Sequence, residues 1–161
     1  PPLGAALSDV RVDARLLERL PATIDGIGAQ SDVETAREVA GDAAIQAQVD
    51  AIAIAVYVAP DASGSTGDYA VATVVHLRPG VFSDPFYRDW RDTFDAGVCE
   101  QAGGVRTRAE TTIAERRVFI GTCAGGTRTY HVHLAADDVL VSIQGIGEER
   151  LGERIVEGLT E

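Results

Sequence analysis

Four β-rich segments joined by short turns fill residues 105–146, and they constrain the fold more than any other feature. The segments read VRTRAETTIA, RRVFIGTC, RTYHVHLA and DVLVSIQG, with AGG (124–126) and AADD (135–138) as turn signals between them. Turns this short leave no room for a crossover helix, so successive strands must pair antiparallel. A parallel fold of repeating strand–helix units is therefore disfavoured.

An earlier pair of segments, 50–60 and 68–77, predicts a hairpin. In DAIAIAVYVAP and DYAVATVVHL, apolar residues occupy both alternating sets of positions. A strand with this pattern is typical of a sheet that is covered on both faces. With the four later segments, the sequence predicts about six strands.

Four helices are predicted around these strands. Asp13 caps a short helix ending before Pro21, and Ser31 with Glu34 has capping-box spacing for a helix to about Val49. Ser83 caps the clearest helix, in which Phe86, Trp90, Phe94 and Val98 share one face and Arg88–Asp92 and Arg91–Asp95 form ion pairs on the other. The segment GEERLGERIVEGL closes the chain as an amphipathic helix.

The predicted fold is therefore α+β, a mainly antiparallel sheet of about six strands packed with helices in the order ααββαββββα. The 161 residues fit a single domain, of which residues 1–8 form the end of a linker.

Charge narrows the classes of partner. The chain has 25 acidic and 14 basic residues, a formal net charge of −11. Nucleic acids and anionic membrane surfaces require clustered cations, so neither is an expected partner. The longest apolar run, AIAIAVYVA at 51–59, is far shorter than a membrane span needs.

Cys99 and Cys123 are the only two cysteines. Outside the cytoplasm they predict one disulfide, because both lie where secondary structure ends; in a cytosol they would be two buried thiols.

Two motifs have competing interpretations. Gly121–Gly125 fits a Gly-x-nucleophile-x-Gly elbow, but such an elbow needs a following helix, and the next segment is a strand. DASGS (61–65) fits an Asp-x-Ser-x-Ser metal loop, which also requires a helix next, whereas TGDYAVATVVHL is β-rich. Both motifs are more typical of turns.

Histidines offer a third possibility. His131 and His133 lie two residues apart on one strand and so share a face, and His76 would complete a zinc site if its strand lies alongside. The simpler interpretation places Tyr130, Val132 and Leu134 in the core, with both histidines facing solvent or a groove.

The aromatic residues Phe86, Tyr87, Trp90 and Phe94 either line an apolar ligand pocket or form core. The acidic residues Asp84, Asp89, Asp92 and Asp95 are interpreted as a solvated face of the same helix.

In outline, FYRDWRDTF, RRVFIGTCAGGTRTYHVHLAADDVLVSI and the closing helix resemble the Mog1/PsbP-like arrangement, which exported actinobacterial lipoproteins of the LpqN type share. The resemblance implies an exported, lipid-anchored binding or accessory protein, with any signal peptide or anchor upstream of Pro1. We therefore expect an extracytoplasmic, non-enzymatic domain that binds a small apolar ligand, an envelope component or a protein, without a cofactor. The alternative is a zinc-binding or hydrolytic protein that uses His76, His131 and His133.

Overall fold

The computed structural model describes residues 9–60 and 66–161. Its strands are β1 (Arg11–Val12), β2 (Thr23–Ile24), β3 (Ile27–Gly28), β4 (Gln30–Ser31), β5 (Val49–Pro60), β6 (Thr66–Leu77), β7 (Val105–Ile113), β8 (Arg116–Cys123), β9 (Arg128–Leu134) and β10 (Val139–Ile146). Its α-helices are α1 (Val33–Ala40), α2 (Ala43–Gln48), α3 (Asp84–Cys99) and α4 (Leu151–Glu157), and a 3-10 helix covers Ala14–Arg19. None of these helices has the length and apolar character to cross a membrane.

One mixed, mainly antiparallel sheet of eight strands runs in the order β1-β5-β6-β10-β9-β8-β7, with β4 also paired to β5. The prediction of an α+β fold with a mainly antiparallel sheet is confirmed. The count of about six strands was too low, because β1 and β4 are two-residue strands. Strands this short leave no alternation in the sequence to detect, so the predicted order ααββαββββα omits them.

The helices near the N-terminus differ from the prediction. Asp32, not Ser31, caps α1, because its carboxylate accepts from the backbone N–H of Thr35. The predicted single helix to about Val49 is two helices: α1 ends at Ala40, and Asp42 caps α2. An Asp at an N-cap and a Gly with low helix propensity at position 41 both favour this break. The helix after Asp13 is of the 3-10 type.

Helix α3 begins as predicted, with the Ser83 hydroxyl accepting from the backbone N–H of Phe86. The predicted ion pairs along it are absent from the described residues. Asp92 and Asp95 instead face Arg108 of β7, at 3.2 and 3.7 Å from its Nε. Ion pairs between elements have replaced those within the helix.

The sheet is covered on both faces, as the apolar strands predict. Residues of α4 such as Leu151 and Ile155 pack with Tyr130 and Val141 on one face. Helices α1 and α3 cover the other, where the buried residues include Ala36, Ile52, Val75, Tyr87 and Leu140. Helix α3 and the sheet beneath it position the candidate site.

A disulfide joins Cys99, the last residue of α3, to Cys123, the last residue of β8, with their Cα atoms 5.2 Å apart. The predicted pairing is present in the structure. The bond fixes the end of α3 to the sheet.

Candidate functional site

A cleft of about 400 Å³ lies between α2 and α3. Phe86, Trp90 and Phe94 of α3 form one wall, and Ala44 and Ile45 of α2 belong to the other. All three aromatic side chains are half-buried, and polar residues complete the lining: Asp42, Gln48, Asp89 and Thr93. The structure thus brings three of the four predicted pocket residues to one cleft.

Tyr87, the fourth predicted residue, lies away from this cleft. It is only 6% exposed and packs against Phe82 and edge-on against Phe119, with ring centroids 5.5 and 5.4 Å apart. Successive side chains of an α-helix are rotated by about 100° around its axis, so neighbouring residues of α3 face different surroundings.

Trp90 is held from beneath the cleft by a buried polar chain. Its indole Nε1–H donates to the Ser142 hydroxyl on β10 at 2.9 Å. The Ser142 oxygen lies 2.8 Å from His131 Nδ1, and His131 Nε2 lies 2.8 Å from an Asp95 carboxylate oxygen. Thr129 donates to the same oxygen of Asp95 at 2.6 Å.

Counting donors and acceptors assigns the protons in this chain. The indole N–H can only donate, so Ser142 accepts from Trp90 and is free to donate its own proton to His131 Nδ1. His131 Nε2–H then donates to Asp95. With these roles, each group from Trp90 to Asp95 has a hydrogen-bond partner.

Asp95 is the charged end of the chain and is 2% exposed. Burial raises the pKa of its carboxyl group, but the hydrogen bonds from His131 and Thr129 and the charge of Arg108 together hold that pKa below its ordinary value. The interpretation of Asp95 as part of a solvated face was wrong. Tyr87, Arg91, Asp95 and Cys99 lie four residues apart on α3, and the burial of Tyr87 and Cys99 places Asp95 on an inward row.

Gly121 has a structural role in this network. A Cβ atom there would lie 2.7 Å from the Asp95 carboxylate and 2.5 Å from the Thr129 hydroxyl. Only glycine leaves room for both groups. Its backbone N–H also donates to Thr129 at 3.1 Å. The glycine that suggested a nucleophile elbow is therefore explained by close packing.

The stretch after Gly121 is a strand end and a turn: β8 ends at Cys123, and β9 begins at Arg128. Cys123 is bonded to Cys99, so its sulfur is not a free nucleophile. The Asp-x-Ser-x-Ser segment at 61–65 lies outside the described residues.

The three predicted zinc ligands have different partners. His131 bonds Asp95 and Ser142, His133 bonds Asp138 at 3.1 Å, and His76 lies 3.5 Å from Asp50. Within residues 9–60 and 66–161, no group of three or more His, Cys, Asp or Glu side chains is arranged to hold a metal ion.

Strand register accounts for this separation. β10 lies between β6 and β9, so His76 is two strands away from His131 and His133. His131 is 1% exposed, so its predicted exposure to solvent or a groove was wrong.

Asp95, His131 and Ser142 form the Asp–His–Ser order seen in hydrolases that use a serine nucleophile. Ser142 and His131 are each 1% exposed, and Trp90 occupies the approach to the hydroxyl with its own hydrogen bond. The hydrogen-bonded chain from Asp95 to Ser142 therefore holds Trp90 in place, and the Trp90 ring lines the cleft. Sequence reasoning missed Ser142 because one serine in an apolar strand has no distinguishing pattern.

No protein-family model matches the sequence, and comparisons with curated proteins and with solved structures also find no match.

Proposed function

We propose that this chain is an extracytoplasmic, non-enzymatic domain of the lipoprotein type that binds a small apolar ligand in the cleft between α2 and α3. An envelope component or a protein partner is the alternative occupant of the same surface. The observation that carries the proposal is the half-buried aromatic wall of Phe86, Trp90 and Phe94.

The cleft has the features of a binding site rather than of unfilled core. Ligand pockets are concave, lined mainly by apolar and aromatic groups, and carry a few polar groups at fixed positions. Here the aromatic wall meets Asp42 and Asp89. Trp90 is fixed by Ser142 before any ligand arrives, so binding need not order this large side chain.

The disulfide supports export, because such bonds persist in oxidising compartments and are rare in the cytosol. The resemblance to LpqN-type proteins adds an N-terminal lipid anchor to the proposal. Thiol labelling of protein taken from its host, without reductant, tests this part: Cys99 and Cys123 should resist labelling until they are reduced.

The single tryptophan makes the cleft directly observable. N-phenyl-1-naphthylamine is a neutral apolar probe that fluoresces when it leaves water and accepts energy from tryptophan. We expect excitation of Trp90 to produce probe emission that saturates with one probe per chain.

Ala44→Arg is the blocking variant, since Ala44 is an exposed residue of α2 that lines the cleft. Both residues are good helix formers, so α2 should be retained. Ala47→Arg is the matched control: Ala47 is exposed on the same helix but does not line the cleft. Tenfold weaker probe binding by Ala44→Arg alone would support the proposal, and equal binding by both variants would refute it.

Zinc titration distinguishes the proposed function from the alternative. The alternative is a zinc-binding or hydrolytic protein that uses His76, His131 and His133. That alternative predicts stoichiometric binding that His133→Gln and His76→Gln each weaken. The proposed function predicts that neither substitution changes zinc binding.

A further inference from the structure

Strand β7 is the open edge of the sheet. It is nine residues long and pairs with β8, and within residues 9–60 and 66–161 no strand pairs with its outer side. The opposite edge differs, because the short strands β1 and β4 both pair with the outer side of β5. On β7, every residue from 106 to 112 is exposed. An edge of this kind presents backbone N–H and C=O groups on which another strand can pair.

The hairpin between β7 and β8 shows which backbone groups point outward. Its turn at 114–115 has two residues, and their φ angles of 50° and 66° are typical of a type I′ turn. Ile113 and Arg116 pair across that turn and exchange both backbone hydrogen bonds. Hydrogen-bonded and non-hydrogen-bonded pairs alternate along antiparallel strands. The β7 residues that direct their N–H and C=O groups outward are therefore Arg108, Glu110 and Thr112.

Arg108 and Glu110 lie on the face of β7 that α3 covers. Arg108 Nε is 3.2 Å from Asp92 of α3, and alternation along the strand places Glu110 on the same face. Glu110 bonds Arg117 of β8 there. The Arg108 and Glu110 side chains are 50% and 47% accessible, so each keeps surface for a further partner. Two opposite charges thus lie two residues apart on an open edge.

This spacing matches a second copy of the same strand. Antiparallel pairing about a two-fold axis at Ala109 places Arg108 of each copy opposite Glu110 of the other. Both residues direct their backbone groups outward, so each such pair can exchange both N–H···O bonds. On the other face, Thr107 lies opposite Thr111 of the second copy, and Thr–Thr pairs stabilise sheets. Ala109 meets itself at the non-hydrogen-bonded position, where the strands come closest and a small side chain fits.

Charge selects this register over its neighbours. Outward backbone groups occur at every second residue, so the nearest alternative registers set Arg108 opposite Arg108, or Glu110 opposite Glu110, of the second copy. Like charges directly opposite each other are destabilising. Charged side chains on an edge strand usually discourage pairing. The register centred on Ala109 avoids both repulsive pairs.

We propose that β7 binds β7 of a second copy of this chain, so that the two sheets join edge to edge in the register centred on Ala109. An interface made by one strand is small, so the dimer is a weak one. The net charge of −11 on each copy opposes association at low ionic strength, and salt relieves that repulsion.

Sedimentation equilibrium tests the dimer at about 150 mM NaCl and up to about 1 mM protein, because weak interfaces need high concentration. We expect a monomer–dimer equilibrium in the wild type. Glu110→Arg sets arginine opposite Arg108 of the second copy and should raise the dissociation constant about tenfold or more. Glu38→Arg, at an exposed residue of α1, makes the same change in net charge and should dimerise at least as well as the wild type.

Cysteine cross-linking measures the register directly. The Cα atoms of a non-hydrogen-bonded pair lie about 4.5 Å apart, a distance that a disulfide can span. Ala109→Cys should therefore form a covalent dimer on mild oxidation. Thr111→Cys is the control: Thr111 is exposed on the same face of β7, but its counterpart in the second copy is Thr107, so this variant should not cross-link.

Three results would each overturn the proposal. They are a wild type that stays monomeric throughout, a Glu110→Arg variant that dimerises as tightly as Glu38→Arg, and cross-linking of Thr111→Cys as readily as of Ala109→Cys. None of the substituted β7 residues lines the α2–α3 cleft, so all three variants should bind N-phenyl-1-naphthylamine like the wild type. The dimer and the proposed function therefore fail independently.

Discussion

Ser142 is the residue through which the sheet holds Trp90. Its hydroxyl accepts from the indole N–H and donates to His131, and all three groups are at least partly withdrawn from water. Ser142→Ala would remove both bonds at once and leave the partly buried Trp90 Nε1 and the buried His131 Nδ1 without these partners. We expect a loss of about 2–4 kcal/mol in the free energy of unfolding, measured by urea titration with Trp90 fluorescence.

Thr73→Val is the control for this substitution. Thr73 is the cross-strand neighbour of Ser142, and its replacement keeps the side chain's shape while removing a hydroxyl. A change under about 1 kcal/mol is expected for it. If Ser142→Ala cost no more than Thr73→Val, the hydrogen-bonded chain would not be what fixes Trp90.

Asp95 makes stability depend on pH in the acid range. Its pKa is lowered in the folded protein from the ordinary value of 3.8, so its ionised form stabilises the fold fully above that value. As the pH falls below 3.8 and through the folded pKa, protonation removes this stabilisation. The free energy of unfolding should therefore fall more steeply between pH 4 and 2 in the wild type than in Asp95→Asn.

Asp92→Asn is the matched variant, since Asp92 contacts the same Arg108 but is about half exposed, with 49% of its side chain accessible. Exposed ion pairs contribute little to stability, so the plot of unfolding free energy against pH for Asp92→Asn should run parallel to that of the wild type. Parallel curves for Asp95→Asn as well would show that the buried carboxylate is not coupled to folding.

At the scale of elements, α3 joins the candidate cleft to the sheet. Trp90 and Phe94 line the α2–α3 cleft, while Tyr87 packs against Phe82 and Phe119. The hydrogen bond to Ser142 fixes the middle of the helix, and the disulfide fixes its last residue. Loosening α3 should therefore disturb the cleft that it lines.

The disulfide supplies a direct test of this arrangement. Cys99 and Cys123 are separated by 24 residues, and closing a loop of that length stabilises the fold by about 3.5 kcal/mol in chain-entropy models. We expect reduction to lower the melting temperature by roughly 7–14 °C, measured by circular dichroism with and without reductant. A Cys99→Ala, Cys123→Ala double variant should melt like the reduced protein and no longer respond to reductant. A reductant-insensitive wild type would contradict the stabilising role.

At the scale of the whole molecule, the sequence predicted what periodic patterns determine. The apolar run at 50–60 and the alternation at 128–135 indicated long strands, and Ser83 indicated the start of α3. The sequence could not predict the two-residue strands β1 and β4, or that Asp95 on α3 contacts His131 on β9. Such contacts depend on how α3 crosses the sheet, and no local pattern encodes that placement.

Net charge is the property that the whole chain shares, and it leads to a prediction about salt. With a formal net charge of −11 at pH 7, the folded protein repels itself, and salt screens that repulsion. We expect the melting temperature at pH 7 to rise between 10 and 150 mM NaCl.

The same salt increase near pH 4.6, the pI of the sequence, should have little effect or lower the melting temperature. Net repulsion has vanished there, and salt then weakens only attractive pairs such as Arg108 with Asp92. A salt-induced fall at pH 7 would mean that local ion pairs outweigh the net charge. The acidic surface would then act through specific pairs rather than through its overall field.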